Sequence, residues 1–214
     1  MIKNYNQIEN LFRELSACID ININLFIIGG LVMLKQELKE STKDIDIIVD
    51  SESEFFILEK AFKRLGFKSI IPGIEYENMN LSQVFERDDF RIDLFNKKVC
   101  DKFSLSKDMI KRAGLILDFD KLKVFHCSNE DVLLFKTMTE REGDLDDCMK
   151  LVIPGIDWSI ILKELKDQIS LSGRNIWITW VGERLDLLED KGLVIPIMKD
   201  VNKLRKDYYD KLDN

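Results

Sequence analysis

Two aspartates at alternate positions of an apolar run constrain this chain more than any other feature. Asp44 and Asp46 belong to residues 44–49, Asp-Ile-Asp-Ile-Ile-Val, a run apolar enough to form a buried β-strand. Side chains two residues apart on a strand project from the same face, so both carboxylates meet the same surroundings. Burying such a pair is unfavourable unless a positive group lies beside it. A divalent metal ion that carries a nucleotide is a common solution.

The composition is that of an ordinary globular chain, and it narrows the classes of function. The 214 residues are 45% hydrophobic and 33% charged, enough for one large domain or two small ones. No apolar run approaches the roughly 18 residues of a membrane span, and residues 1–6 lack the apolar core of a signal peptide. We therefore expect a cytoplasmic protein with no membrane partner. The net charge of −7 argues against general coating of nucleic acids.

The cysteines and the single histidine give no sign of a zinc, redox or hydrolase site. Cys18, Cys100, Cys127 and Cys148 form no Cys-x-x-Cys pair, which indicates reduced and mostly buried thiols. His126 is adjacent to Cys127, but neighbours on a strand point to opposite faces, so both are interpreted as structural. No nucleophile elbow accompanies His126, which argues against a hydrolase of the Ser-His-Asp or Cys-His type.

The pattern of apolar residues predicts a mixed α/β half followed by a helical half. Strands are predicted over residues 25–28, 45–49, 67–71, 82–87, 90–95, 114–119 and 122–127, and helices over 5–19, 31–40 and 51–65. Further helices are predicted over 129–141, 144–152, 157–171, 174–190 and 197–212. The fold class is therefore α/β (α+β), a mixed sheet flanked by helices and followed by a C-terminal helical region. The boundary falls within about 100–128, and we take 1–127 as the core and 128–214 as helices packed on it.

The polar residues of the first half match the needs of phosphoryl and nucleotidyl transfer. These reactions need backbone donors for the phosphates, metal ions to neutralise developing charge, and a carboxylate to help activate the acceptor hydroxyl. Gly29 and Gly30 separate a strand from a helix, where a phosphate can approach exposed N–H groups. Asp44 and Asp46 can ligate two ions from one face of a strand. Asp93, on a neighbouring strand, can supply a third carboxylate.

This order of motifs resembles the nucleotidyltransferase superfamily of the polymerase-beta type. The matching segments are residues 28–30, 42–49 and 91–94. The resemblance implies an enzyme that uses two magnesium ions to move a nucleotide from an NTP to a hydroxyl of a protein, nucleic acid or small molecule. It also implies that Asp44, Asp46 and Asp93 bind metal and are catalytic, and that Gly29 and Gly30 bind the nucleotide.

The helical half is similar to prokaryotic nucleotidyltransferases related to the abortive-infection type IV (AbiEii-like) toxins. The similarity lies in residues 128–136 and 141–147, and the whole resemblance covers about residues 20–150. It implies that Lys136 contacts nucleotide phosphates and that Asp144 and Asp147 help to orient the site. Toxin-like modification of tRNA or of a protein, with a neutralising antitoxin partner, is the leading expectation. A simple ion pair between Arg141 and one of these aspartates is the structural alternative.

Each motif also has an interpretation without chemistry. A Gly-Gly pair is more often a turn than a phosphate loop, and a helical lysine such as Lys136 is normally solvated. Glu40 stands where related proteins often have a basic residue. It favours a second hypothesis, a non-catalytic module of the same fold that binds nucleotide or a partner protein. The intact Asp44, Asp46 and Asp93 favour the enzyme, and the lack of histidine ligands disfavours a metal-dependent phosphohydrolase.

Overall fold

The chain forms two compact units, Met1–Ser128 and Asn129–Asn214, in a computed structural model that describes residues 1–70 and 83–212. The first unit contains a seven-stranded sheet with both parallel and antiparallel pairs, together with helices. The described secondary structure elements of the second unit are helices. The predicted α/β fold class with a helical C-terminal region is confirmed. Parts of the strands predicted over 67–71 and 82–87 lie outside the described residues.

The first unit contains both strands and helices along the chain. Its strands are β1 (Ile23–Ile28), β2 (Ile45–Val49), β3 (Lys68–Ile70), β4 (Gln83–Arg87), β5 (Phe90–Asn96), β6 (Gly114–Asp118) and β7 (Leu122–His126). Its described helices are α1 (Tyr5–Ala17), α2 (Gly30–Lys35), α3 (Glu52–Arg64) and α4 (Lys107–Arg112). The sequence pattern missed α4, because six residues are too few to show a helical period.

The order of strands in the sheet is β3-β4-β5-β2-β1-β7-β6, which places β2 at the centre. Strand β2 pairs antiparallel with β1 and parallel with β5. Ile45, Ile47, Ile92 and Leu94 of these central strands are fully buried. The two predicted hairpins are confirmed, since β4 pairs antiparallel with β5 and β6 with β7.

Helix α2 is shorter than predicted, since it ends at Lys35 and does not continue to residue 40. Glu37 adopts a positive φ of 60°. The Glu37 N–H bonds to the carbonyl of Leu34, and the Leu38 N–H bonds to the carbonyl of Met33. This is the Schellman arrangement, which ends a helix through one left-handed residue. Glycine usually occupies that position, so a glutamate there provides no stop signal in the sequence.

The second unit consists of helices in its described part. They are α5 (Asn129–Lys136), α6 (Glu142–Leu151), α7 (Trp158–Ser172), α8 (Trp177–Asp190) and α9 (Met198–Leu212). The helix predicted over 129–141 was too long, because the hydroxyls of Thr137 and Thr139 donate to the carbonyls of Leu134 and Lys136 at the end of α5. No helix among the described residues is long and apolar enough to cross a membrane.

The single histidine is a buried, neutral residue of the first unit. His126 is 6% exposed, and its Nε2 lies 3.1 Å from the hydroxyl of Tyr5. Burial, reinforced by the positive charge of Lys35, lowers the pKa of His126 to about 4. Burial, reinforced by the charge of Glu9, raises the pKa of Tyr5. These contacts agree with a structural role, and Cys127 beside the histidine is buried and forms no disulfide bond.

Replacement of His126 is expected to flatten the dependence of stability on pH. The unfolded chain protonates this histidine near its ordinary pKa of 6.5, whereas the folded chain keeps it neutral down to about 4. The unfolded state therefore binds more protons in this window, and the free energy of unfolding falls as the pH drops through it. Because the chain has no other histidine, His126→Gln should remove most of the decline between about pH 7 and pH 5. Urea denaturation at several pH values measures this, and an equal decline in both proteins would contradict it.

Candidate metal and nucleotide site

Three carboxylates meet at the centre of the sheet. Asp46 on β2 lies directly across from Asp93 on β5 in the parallel register of these strands. Asp44 comes immediately before β2 and, two residues from Asp46, shares its face. One oxygen from each of Asp44, Asp46 and Asp93 lies within 4.8 Å of the others. The structure thus brings together the three aspartates that the resemblance implicates in metal binding.

The donor set of this cluster fits a hard divalent cation. Asp93 is only 4% exposed, and Asp44 and Asp46 are half-buried. Three like charges this close together repel one another, and partial burial strengthens the repulsion. Carboxylate oxygens are the ligands that Mg²⁺ prefers in proteins. These three residues would therefore hold a divalent metal ion, which would also relieve their repulsion.

Arg91 binds the most buried of the three carboxylates. Its Nε donates to Oδ1 of Asp93 at 2.9 Å, and its Nη2 donates to Oδ2 at 3.2 Å. The two residues are two positions apart on β5, so their side chains share a face. A two-bond contact of this kind fixes the plane of the carboxylate as well as its position. The sequence pattern assigned no role to Arg91, although an arginine two residues before Asp93 on one strand was the available signal.

Gly29 and Gly30 lie against the carboxylate strand because neither has a side chain. Gly29 has a φ of +70°, and a Cβ atom on it would collide with Oδ2 of Asp46. A Cβ atom on Gly30 would collide with Oγ1 of Thr42. The strand pairing agrees, since Ile28 directly before the turn is paired with Asp46. We use the term glycine turn for Gly29 and Gly30, and its backbone adjoins one of the candidate metal ligands.

Thr42 connects the glycine turn to the carboxylate strand. Its side chain is nearly fully buried, and its Oγ1 donates to the backbone carbonyl of Asp44 at 3.2 Å. Its backbone also exchanges two hydrogen bonds with Ile2. Thr42 therefore fixes the chain just before β2 and sets the position of Asp44. It is a positioning residue that the sequence pattern included in the matching segment but left without a role.

Lys136 belongs to the second unit, where it takes part in a buried ion cluster. Its Nζ donates to Oδ1 of Asp144 at 2.7 Å and to Oδ2 of Asp147 at 2.8 Å. Burial alone would lower the pKa of Lys136, but the charges of these aspartates outweigh it and raise that pKa. Arg141 also binds Asp144, at 2.8 Å, as the ion-pair alternative predicted. A contact between Lys136 and nucleotide phosphates stays a prediction.

Burial makes the thiol of Cys148, which lies near the Lys136 cluster, unreactive. Desolvation raises the pKa of Cys148 to about 12, and the charge of Lys136 only partly opposes this. A thiol with so high a pKa carries almost no thiolate at neutral pH, and the thiolate is the nucleophilic form. Cys148 is therefore a packing residue of this cluster, in agreement with the interpretation of the cysteines as structural.

The family of the chain is identified by a model that covers most of its length. The model is described as a nucleotidyltransferase of unknown function (DUF6036), and it matches residues 4–176. The chain belongs to this nucleotidyltransferase family. The matched range includes the glycine turn, the three carboxylates and the Lys136 cluster. The nucleotidyltransferase part of the resemblance is thereby confirmed.

Several solved structures are similar to the chain at low sequence identity. ANT(2'')-Ia in complex with adenylyl-2''-tobramycin is 15% identical, with a TM-score of 0.45 over 85% of this chain and 98% of that one. The solution structure of the antibiotic-resistance factor ANT(2'')-Ia is 14% identical, with a TM-score of 0.45 over 95% of this chain and 97% of that one. A nucleotidyltransferase-like protein from Paracoccidioides brasiliensis is 13% identical, with a TM-score of 0.41 over 82% of this chain and 87% of that one. No curated protein matches the chain by sequence.

Binding of Mn²⁺, a paramagnetic substitute for Mg²⁺, is expected to depend on Asp46. Asp46→Asn keeps the shape of the side chain but removes a charge and a strong oxygen ligand, so the affinity should fall by more than about tenfold. Asp50→Asn is the matched control, because Asp50 is an exposed aspartate directly after β2. Electron paramagnetic resonance of free Mn²⁺ measures both affinities. Equal affinities in the two variants would exclude Asp46 as a ligand.

Lys136→Met is expected to destabilise the second unit strongly. The substitution leaves Asp144 and Asp147 buried without their common cation, and breaking such a cluster typically costs about 3–5 kcal/mol. Lys163→Met is the matched control, since Lys163 forms an exposed pair with Asp167 on α7, worth at most about 1 kcal/mol. Thermal and urea denaturation compare the two variants. If Lys136→Met were no less stable than the control, the ion cluster would not stabilise this unit.

Proposed function

We propose that this chain is a metal-dependent enzyme that transfers a nucleotide from an NTP to an acceptor hydroxyl. The observation that carries the proposal is the convergence of Asp44, Asp46 and Asp93 within 4.8 Å beside the glycine turn. The family membership supports it. A module that only binds nucleotide would not need all three carboxylates. The enzyme hypothesis is therefore favoured over the hypothesis of a non-catalytic module.

The carboxylates have distinct proposed roles. Asp44 and Asp46 would bind Mg²⁺, and Asp93 would complete the metal site. Two such ions, when bound, would neutralise charge on the phosphates and on the acceptor oxygen. Asp93 would also assist removal of the proton from the acceptor hydroxyl. Arg91 leaves this possible, because each carboxylate oxygen accepts more than one hydrogen bond.

The glycine turn has the proposed role of receiving the phosphates. A residue with φ of +70° and no side chain lets another group approach its backbone closely. Backbone N–H groups at such turns bind phosphate oxygens without competing side chains. Because Asp46 contacts this turn, metal-bound phosphates would meet those donors. Lys136 is a further proposed phosphate contact, supported by the resemblance of residues 128–136 alone.

For the acceptor, we propose tRNA or a protein, in a toxin-like reaction that an antitoxin protein would neutralise. The support is the similarity of residues 128–136 and 141–147 to nucleotidyltransferases related to abortive-infection type IV toxins. The protein's net charge of −7 gives no long-range attraction to RNA. Recognition of tRNA would then need a local basic surface, whereas a protein acceptor would not.

Nucleotide transfer is expected to depend on Mg²⁺ and on Asp46. The protein is incubated with each of the four NTPs labelled at the α-phosphate, with and without total tRNA and with a cell extract. The labelled α-phosphate should enter RNA or protein while pyrophosphate leaves, and gel separation identifies which acceptor is labelled. Asp46→Ala should abolish the labelling, and Asp50→Ala, at the exposed end of the same segment, should retain it.

Two results would overturn parts of this proposal. Label transfer that survives in Asp46→Ala would exclude the assignment of the metal-binding carboxylates. Absence of NTP binding by the unmodified protein would exclude the enzyme and favour a role in binding a partner protein.

A further inference from the structure

Lys39 places a positive charge at the glycine turn. Its Nζ lies 3.9 Å from the position that a Cβ atom on Gly30 would occupy, and the Thr42 hydroxyl lies beside the same position. Lys39 is half-buried, whereas Glu40 is exposed. The ammonium group therefore lies close to the turn, and Glu40 offers no positive charge there.

The early end of α2 explains this position. The left-handed Glu37 ends the helix after Lys35, and the chain then returns toward the beginning of α2. If the helix continued to residue 40, Lys39 would lie about 13 Å along the helix axis from Gly30. The contact between Lys39 and the glycine turn thus depends on a backbone conformation that ends the helix early.

The same turn adjoins the candidate metal ligands. The space next to Gly29 is occupied by the carboxylate of Asp46, and the space next to Gly30 by Thr42, which also binds the backbone of Asp44. Phosphates bound at the carboxylate cluster would therefore lie along the glycine turn. Their remaining oxygens would be within reach of Lys39.

We propose that Lys39 binds the phosphate tail of the nucleotide and supplies the positive charge that Glu40 cannot. The inference rests on the proposed function, because it assigns one contact within the same site. An ammonium group is a compact charge with three donors, well suited to phosphate oxygens. The nearby carboxylates are negative, so a phosphate tail without such a cation would meet repulsion at this end of the site.

Three other cations of the first unit serve for comparison with Lys39. Arg91 forms a two-bond contact with Asp93. The Nζ of Lys35 lies 4.4 Å from the centre of the Tyr5 ring. Lys43 is exposed and lies in the same connection as Lys39, between α2 and β2. Lys43 is therefore a suitable matched control.

Calorimetric titration with nucleotides tests the contact without relying on turnover. The ligands are ATP, CTP, GTP, UTP and inorganic triphosphate, each with Mg²⁺, and the proteins are wild type, Lys39→Gln, Lys39→Arg and Lys43→Gln. Lys39→Gln should weaken binding of the preferred NTP and of inorganic triphosphate about tenfold, as expected for one hydrogen bond from a charged donor. Lys39→Arg should keep most of the affinity, and Lys43→Gln should match wild type. Thermal denaturation verifies that all four proteins are folded.

The outcomes separate this inference from the proposed function. Equal NTP affinity in wild type and Lys39→Gln would overturn the role of Lys39 while leaving the enzyme proposal standing. Equal losses of NTP affinity in Lys39→Gln and Lys43→Gln would indicate a general charge effect and would also overturn the contact. A variant Lys39→Gln that binds NTP more weakly but inorganic triphosphate as tightly as wild type would overturn it too. Absence of NTP binding by wild type would remove the proposed function, and the inference with it.

Discussion

Repulsion among three neighbouring carboxylates is the constraint that the centre of the first unit has to satisfy. Two charges about 5 Å apart repel by about 3 kcal/mol at an effective dielectric constant of about 20. The opposite face of the same strands holds the register, because the pairs Ile45–Ile92 and Ile47–Leu94 are fully buried there. Each such side chain contributes about 1.5–3 kcal/mol. A shift by one residue would expose these side chains, so the core holds Asp46 opposite Asp93 despite the repulsion.

The carboxylate cluster of the first unit and the Lys136 cluster of the second unit have different surroundings. In the second unit, Asp144 and Asp147 are matched by Lys136 and Arg141 at hydrogen-bond distances, so that cluster is complete in itself. In the first unit, Arg91 binds Asp93, and one oxygen from each of Asp44, Asp46 and Asp93 lies within 4.8 Å of the others. Three converging carboxylates beside a side-chain-free turn form the pattern that a metal–nucleotide complex would complete.

Local patterns accounted for the fold class, the hairpins and the order of the motifs. Strand and helix periods are properties of short segments. Helix α3 begins after Ser51, whose hydroxyl accepts from the Glu54 N–H, and ends before Gly66, which adopts a positive φ. Both residue types are typical of these positions. Helix α4 was missed because it is short, and two helices were predicted too long. Glu37 ends α2 in a conformation that favours glycine, and the threonines after Lys136 end α5 through their side chains. These ends form through hydrogen bonds between residues three to five positions apart, which the pattern of apolar residues does not show.

The sequence by itself determined which residues are available for chemistry: two aspartates at alternate positions of a strand, a glycine pair before them and a third aspartate after them. It determined this because side-chain alternation on a strand is a local rule. Only the tertiary structure decided that β5 lies beside β2 and that Lys39 returns to Gly30. These contacts join segments whose approach is set by packing of the sheet and by one left-handed residue, and neither leaves a periodic trace in the sequence.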